Sequence, residues 1–120
     1  MHSLNTIIEQ NKSKARKLID LTLKNGGVSF NHGLNPLKIN KGFTVSIKSI
    51  IETKDIQEIE KQLNKLPYFN GYFYGLWLNK GIYYLDINTN INDRKEAIET
   101  GKLHKQISIF DEANKTEVKI

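Results

Sequence analysis

Three polar residues stand out as able to do chemistry in this 120-residue chain: Asp86, Gln106 and Asp111. Asp86 falls in the alternating run Ile82–Asn88 and shares a face with Ile82 and Tyr84. A carboxylate buried mid-strand without a partner is costly, so it needs a counter-ion or a task. Gln106 and Asp111 bracket the last clear strand, and Arg94 or Lys95 could answer either acid. Asp86, Arg94, Gln106 and Asp111 are therefore read together as one polar cluster. It either ties loop ends and a helix start, or it forms a site. Glu117-Val118-Lys119 after these acids has the crude form of a metal-dependent nuclease, in which carboxylates hold a hard cation and a lysine settles developing charge. Such triplets arise easily when 26% of residues are charged, so no metal, cofactor or catalytic residue is assigned.

Other chemistries find less. His2, His32 and His104 are scattered, and there is no cysteine, so disulfides, thiolate nucleophiles and the usual zinc ligand sets are missing together. No G-x-S-x-G elbow is present, and Gly26-Gly27 lacks the lysine and threonine of a phosphate-cradling loop.

Charge points towards a partner. The formal net charge is +5, and it is uneven. Residues 1–50 carry +6 and residues 51–120 carry −1. A concentrated positive field attracts an acidic surface better than dispersed charge, because exposed charges are screened over about 8–10 Å. Lys12, Lys14, Arg16 and Lys17 are the residues expected to steer the chain to an acidic host protein or nucleoprotein, or to DNA or RNA directly. Tyr72, Tyr74 and Trp77 belong to an aromatic block and would anchor a partner if exposed, since large rings carry disproportionate interface energy. Stacking of Tyr72 or Tyr74 on splayed bases is an alternative use.

These residues need a scaffold. One hundred and twenty residues make a single domain with one modest core. No apolar run reaches the ~18 residues of a membrane span, and the first residues lack the pattern of a signal peptide. The expectation is a cytoplasmic protein that contacts no membrane. Residues 1–25 read as a basic amphipathic helix with Ser3 as N-cap, leaving through Asn25-Gly26-Gly27. Residues 28–31 and 43–48 read as strands, expected to pair as a hairpin with a long loop. Phe43, Val45 and Ile47 should face in. Thr53 is expected to cap a second helix with Ile56, Ile59, Leu63 and Leu66 inside, ended by Pro67. Residues 72–78 and 82–88 form a hairpin around Asn79-Lys80-Gly81. Asp93 with Glu96 three residues on opens a third helix, with Ala97, Ile98 and Leu103 as its inner face. A strand follows over 106–110, and Thr116 to Ile120 could add an edge strand. The order α-β-β-α-β-β-α-β with that final strand means an α+β fold with a mainly antiparallel sheet.

Six stretches in this order also resemble a family of small uncharacterised proteins encoded by bacteriophages and mobile elements. They are Asn25–Phe30, Lys41–Ser46, Gly75–Leu78, Tyr84–Ile87, Glu96–Gly101 and Gln106–Asp111. Ser108 departs from the family's alanine. The resemblance covers roughly residues 18–120 and implies context rather than activity: an accessory gene that modulates a host or its defences. The expected function is thus a non-enzymatic binding protein, a candidate inhibitor of host defence such as an anti-CRISPR. Nucleic-acid binding through the basic helix is the alternative, and the metal-dependent nuclease the second alternative.

Overall fold

A computed structural model describes the backbone from Leu4 to Ile120 and side chains from Lys12 onward. Ser3 as N-cap and the apolar side chains of Leu4, Ile7 and Ile8 therefore lie outside the described residues, as does His2. Nine elements follow one another: α1 (Leu4–Asn25), β1 (Gly27–Phe30), β2 (Phe43–Thr53), α2 (Ile56–Leu63), β3 (Phe73–Asn79), β4 (Ile82–Ile91), α3 (Arg94–Leu103), β5 (Ser108–Asp111) and β6 (Thr116–Lys119). The six strands make one antiparallel sheet in the order β1-β3-β4-β2-β5-β6. The chain is α+β, in the order the sequence leads one to expect.

Local chemistry explains most element ends. Asp93 has extended backbone, and its Oδ2 accepts from the Glu96 amide at 2.8 Å, so the expected α3 cap forms. The second helix differs. Asp55, not Thr53, is its N-cap, accepting from the Gln57 amide at 2.9 Å. Thr53 is the last residue of β2, and its hydroxyl accepts from the Asp55 amide at 3.1 Å, holding the cap rather than being it. Between β3 and β4, Asn79 pairs with Ile82, leaving the two-residue loop Lys80-Gly81. Both loop residues have positive φ, 52° and 80°, the turn whose twist matches the strands it joins.

The pairing of β1 overturns one expectation. It is bonded to β3, with Val28 opposite Leu76 and Phe30 opposite Tyr74, and not to β2. The long segment 31–42 does not close a hairpin. It folds back on the outer edge of β1, where the Leu37 amide donates to the Ser29 carbonyl at 2.8 Å.

All three helices cover the same face of the sheet. Tyr83, Leu85 and Ile87 of β4 join Leu18 and Ile19 of α1 and Ile59 and Leu63 of α2 in the main core. Two residues further along the same side of β4, Thr89 and Ile91 pair with Val45 and Phe43. There Val45, Ala97 and Ile109 form a smaller core under α3. Two shifts of register in β2, at Ser46/Lys48 and Ser49/Ile51, bend the strand between the two cores. Ile47 faces in as expected, but packs against the larger core while Val45 belongs to the smaller one. Ile56 and Leu103, expected inside, are exposed at 36% and 76%. In α3 it is Gly101 that is buried, because Ile120, Ile109 and Val45 crowd the place of its missing side chain.

Candidate functional site

Alternation decides what the helix-free face carries. If Tyr83, Leu85 and Ile87 point to the core, then Tyr84, Asp86, Asn88 and Asn90 point the other way. Their partners in register are Trp77 and Gly75 on β3, and Ser49, Ser46 and Thr44 on β2. Ser29 of β1 lies beside Gly75. Across β1, β3, β4 and β2 the middle of this face is therefore a floor of small polar groups, with Phe73 opposite Asn88 and Glu52 opposite Tyr84 completing the register. Leu37 to Asn40 and the β5–β6 hairpin wall it, making an open groove of about 730 Å³. Trp77 stands towards one end and Phe110 towards the other, 40% and 37% exposed.

One corner of this groove is highly organised. The rings of Trp77 and Tyr84, directly opposite in register, stack with centroids 4.2 Å apart and planes 15° apart. Trp77 Nε1 donates to Asp86 Oδ2 at 3.0 Å. Burial pushes the Asp86 carboxyl above the ordinary carboxylate range. The indole hydrogen bond opposes that rise, and the nearby Glu52 carboxylate adds to it. Next along β4, Asn88 is only 7% exposed. Its amide leans over Gly75, where a Cβ would come within 2.5 Å of Nδ2. Among the described residues no side-chain hydrogen bond is made by Asn88. It is a nearly buried amide facing the groove with its polar capacity unused.

The opposite wall is tied down. Glu112, 6% exposed, accepts from the Thr44 hydroxyl at 2.5 Å and pairs with Lys115 Nζ at 3.1 Å. The same Nζ donates to the Ile39 carbonyl at 2.6 Å, fastening segment 31–42 to the β5–β6 hairpin.

The four-residue polar cluster expected from the sequence does not assemble. Asp86 lies on the helix-free face, whereas Asp111 pairs in register with Phe43 on the helix-covered one. Asp111 closes the β5–β6 turn, accepting from the Asn114 side chain at 2.8 Å and from its amide at 3.2 Å. Those two bonds, the side-chain one foremost, hold its carboxyl below the usual range, with a smaller contribution from Arg94. Arg94 itself sits over the Phe43 ring, 5.9 Å from its centroid. Gln106 lines the groove with Asp86, but its amide group reaches the His104 carbonyl at 3.4 Å. Among the described residues no group of three or more His, Asp or Glu is placed to hold a metal. Glu117 on β6 is three strand spacings from β4, about 14 Å, and its register runs through Phe110 and Thr44 to Asn90, four residues from Asp86.

The three aromatic anchors also separate. Tyr74 is 2% exposed, on the core side of β3, and is corrected from surface anchor to core residue. It stacks on Phe30 at 5.7 Å, its hydroxyl donates to the Pro67 carbonyl, and burial raises its pKa. Tyr72 precedes β3 and is 44% exposed, edge-on to Phe69 at 6.5 Å. Only Trp77 reaches the groove.

On α1 all four expected cations are exposed. The buried side is set by Ala15, Leu18, Ile19 and Thr22. At 100° per residue, Lys14 flanks it on one side and Arg16 on the other, with Lys17 outermost. They form an arc rather than a row. Arg16 Nη2 lies 2.7 Å from Glu60 Oε1 of α2, an ion pair without hydrogen-bond alignment. Lys14 Nζ reaches the Gly33 carbonyl at 3.5 Å.

No family model, curated protein or solved structure matches the chain. Its function is therefore argued from its own residues.

Proposed function

We propose that this chain is a small binding protein of a phage or mobile element. It acts without catalysis, covering a surface on an acidic host protein or nucleoprotein, and inhibition of host defence is the role this would serve. The observation that carries the reading is the outer surface of α1. From Lys12 to Asn25 the helix presents Lys12, Lys14, Arg16, Lys17 and Lys24, all exposed, against the single acid Asp20. Among the described residues only Arg16 of these cations is ion-paired. Cations so concentrated raise the encounter rate with an acidic surface, and the effect falls with added salt. The exposed Trp77 ring supports the reading, being the residue type most enriched at binding hot spots.

Affinity capture from a bacterial lysate tests it, comparing the wild type with Lys14→Glu/Lys17→Glu. An acidic protein retained by the wild type and lost from the charge-reversed variant is the expected result. The same proteins retained by both would overturn the reading. Gel shifts with random duplex at about 50 and 200 mM salt separate direct nucleic-acid binding, whose affinity would fall steeply between the two.

A further inference from the structure

The helix-free face holds a second set of groups whose chemistry is opposite to that of α1. Asp86 has one carboxylate oxygen, Oδ2, bonded to the Trp77 indole. Among the described residues Oδ1 has no hydrogen-bond partner. Glu52, opposite Tyr84 in register, adds a second negative charge at this corner. Burial of Asp86 makes that charge unfavourable where it stands, so a cation brought to it would be strongly favoured. Lys115, on the groove's far wall, is already engaged by Glu112 and the Ile39 carbonyl. Lys38 lies exposed on the far wall.

The neighbouring groups narrow the cation. Tyr84 covers one face of the Trp77 ring, and the residue remains 40% exposed to the groove. An electron-rich indole braced in this way attracts a flat cation over its free surface. Asn88 lies two residues along the same side of β4, about 7 Å from Asp86 along the strand; its Nδ2 leans over Gly75, and a half-turn of this unpartnered amide presents its oxygen there instead. A compact ammonium cannot stack and reach both acceptors. A guanidinium is planar and carries five donors in a fixed fork. The groove, at about 730 Å³, is larger than one side chain and leaves room for the residues on either side of it.

We propose that the Trp77–Asp86–Asn88 corner is a binding site for an arginine side chain presented by an extended segment of a partner protein. The guanidinium stacks on Trp77 and donates to Asp86 Oδ1 and to the Asn88 side-chain oxygen. The site lies on the sheet, not on α1, so it stands or falls separately from the docking of the basic helix.

Trp77 is the only tryptophan in the chain and reports directly. The probe is the blocked peptide acetyl-Gly-Ser-Arg-Ser-Gly-amide, titrated against intrinsic fluorescence. The controls are the same peptide with citrulline, which keeps the shape and loses the charge, and with lysine. A saturable change in Trp77 emission is expected with arginine, at least tenfold weaker with citrulline and several-fold weaker with lysine. Asp86→Asn should weaken arginine binding at least tenfold, and Lys14→Glu/Lys17→Glu should leave it unchanged. Amide shifts in the wild type, read by NMR without any variant, should centre on Gly75–Trp77 and Asp86–Asn88. No saturable response at millimolar arginine peptide would overturn the proposal. So would equal binding of the citrulline peptide, or amide shifts confined to other surfaces.

Discussion

Trp77 and Asp86 are joined across β3 and β4 by an indole-to-carboxylate hydrogen bond of 3.0 Å, made on the face of the sheet that no helix covers. That single bond does not offset the burial of the carboxyl, whose pKa is raised in the fold. The folded state thus holds the Asp86 proton more tightly than the unfolded chain does. Stability contributed through this group falls as pH rises from the unfolded to the folded pKa, and the deficit persists at neutral pH. Asp86→Asn removes the charge and keeps an oxygen for the indole. It should raise the midpoint of thermal unfolding at pH 7. The gain should shrink as pH is lowered through the carboxylate range and vanish below about pH 3.5. Melting curves from pH 3 to 7 measure it, and a gain that persists unchanged at pH 3 would contradict the argument.

A core prediction follows from the two helical positions that sequence patterning ranks alike. Ile59 and Leu103 both fall on expected inner faces, yet Ile59 is fully buried and Leu103 is 76% exposed. Truncating a buried Ile leaves a cavity and costs about 2–5 kcal/mol, whereas an exposed Leu changes little. Denaturant melts of Ile59→Ala should show that loss, and Leu103→Ala should stay within about 0.5 kcal/mol of wild type.

That contrast shows where sequence reading stops. Element order, the Asp93 cap and the Lys80-Gly81 hairpin are legible because each is set by residues a few positions apart. The partner of β1 is not, since Val28 and Leu76 meet across 48 positions through packing that no local pattern encodes. Nor is the inward face of β3. Phe73 and Trp77 on one side are as apolar as Tyr74, Leu76 and Leu78 on the other, so period-two alternation gives no direction. Asp86 was visible as an anomaly in a strand. Its neighbours Asn88, Ser46 and Ser29 were not, because small polar residues at alternate positions read as ordinary solvent-facing ones. The usable signal was joint: Thr44 and Ser46 on one strand matched against Asp86, Asn88 and Asn90 on another.

Gly101 gives a sharper test of the α3 packing. A Cβ at this position would lie 2.6 Å from Ile120 Cδ1 and 3.0 Å from Ile109 Cγ2. The first atom is the end of a flexible chain and can move. The second belongs to a buried strand residue and has less room. Alanine also gains about 1 kcal/mol of helix propensity over glycine, so Gly101→Ala should be close to neutral. Valine adds two further methyl groups with no such gain, and Gly101→Val should destabilise by about 1–3 kcal/mol. Equal melting of the two variants would mean that α3 does not sit this close to β5.

The groove's far wall depends on Lys115. Its Nζ bridges Glu112 Oε1 at 3.1 Å and the Ile39 carbonyl at 2.6 Å, so one cation holds both the hairpin and segment 31–42. Lys115→Met alone would leave the buried Glu112 carboxylate held only by Thr44 and would lower global stability. Pairing it with Glu112→Gln removes the charge as well, so that mainly the tether to Ile39 is lost. Segment 31–42 carries Lys38 and Lys41, both exposed, as ready sites for trypsin. The double variant should be nicked after one of them several-fold faster than wild type, because cleavage follows local opening rather than global unfolding. The Leu37 amide bond to Ser29 lies nearer β1 and should keep the first half of the segment in place. Mass spectrometry of the first cut, with the melting temperature measured in parallel, separates the cases. Faster cutting at an unchanged melting temperature locates the effect in the tether, and an unchanged cutting rate would show that Ile39 is held by something other than Lys115.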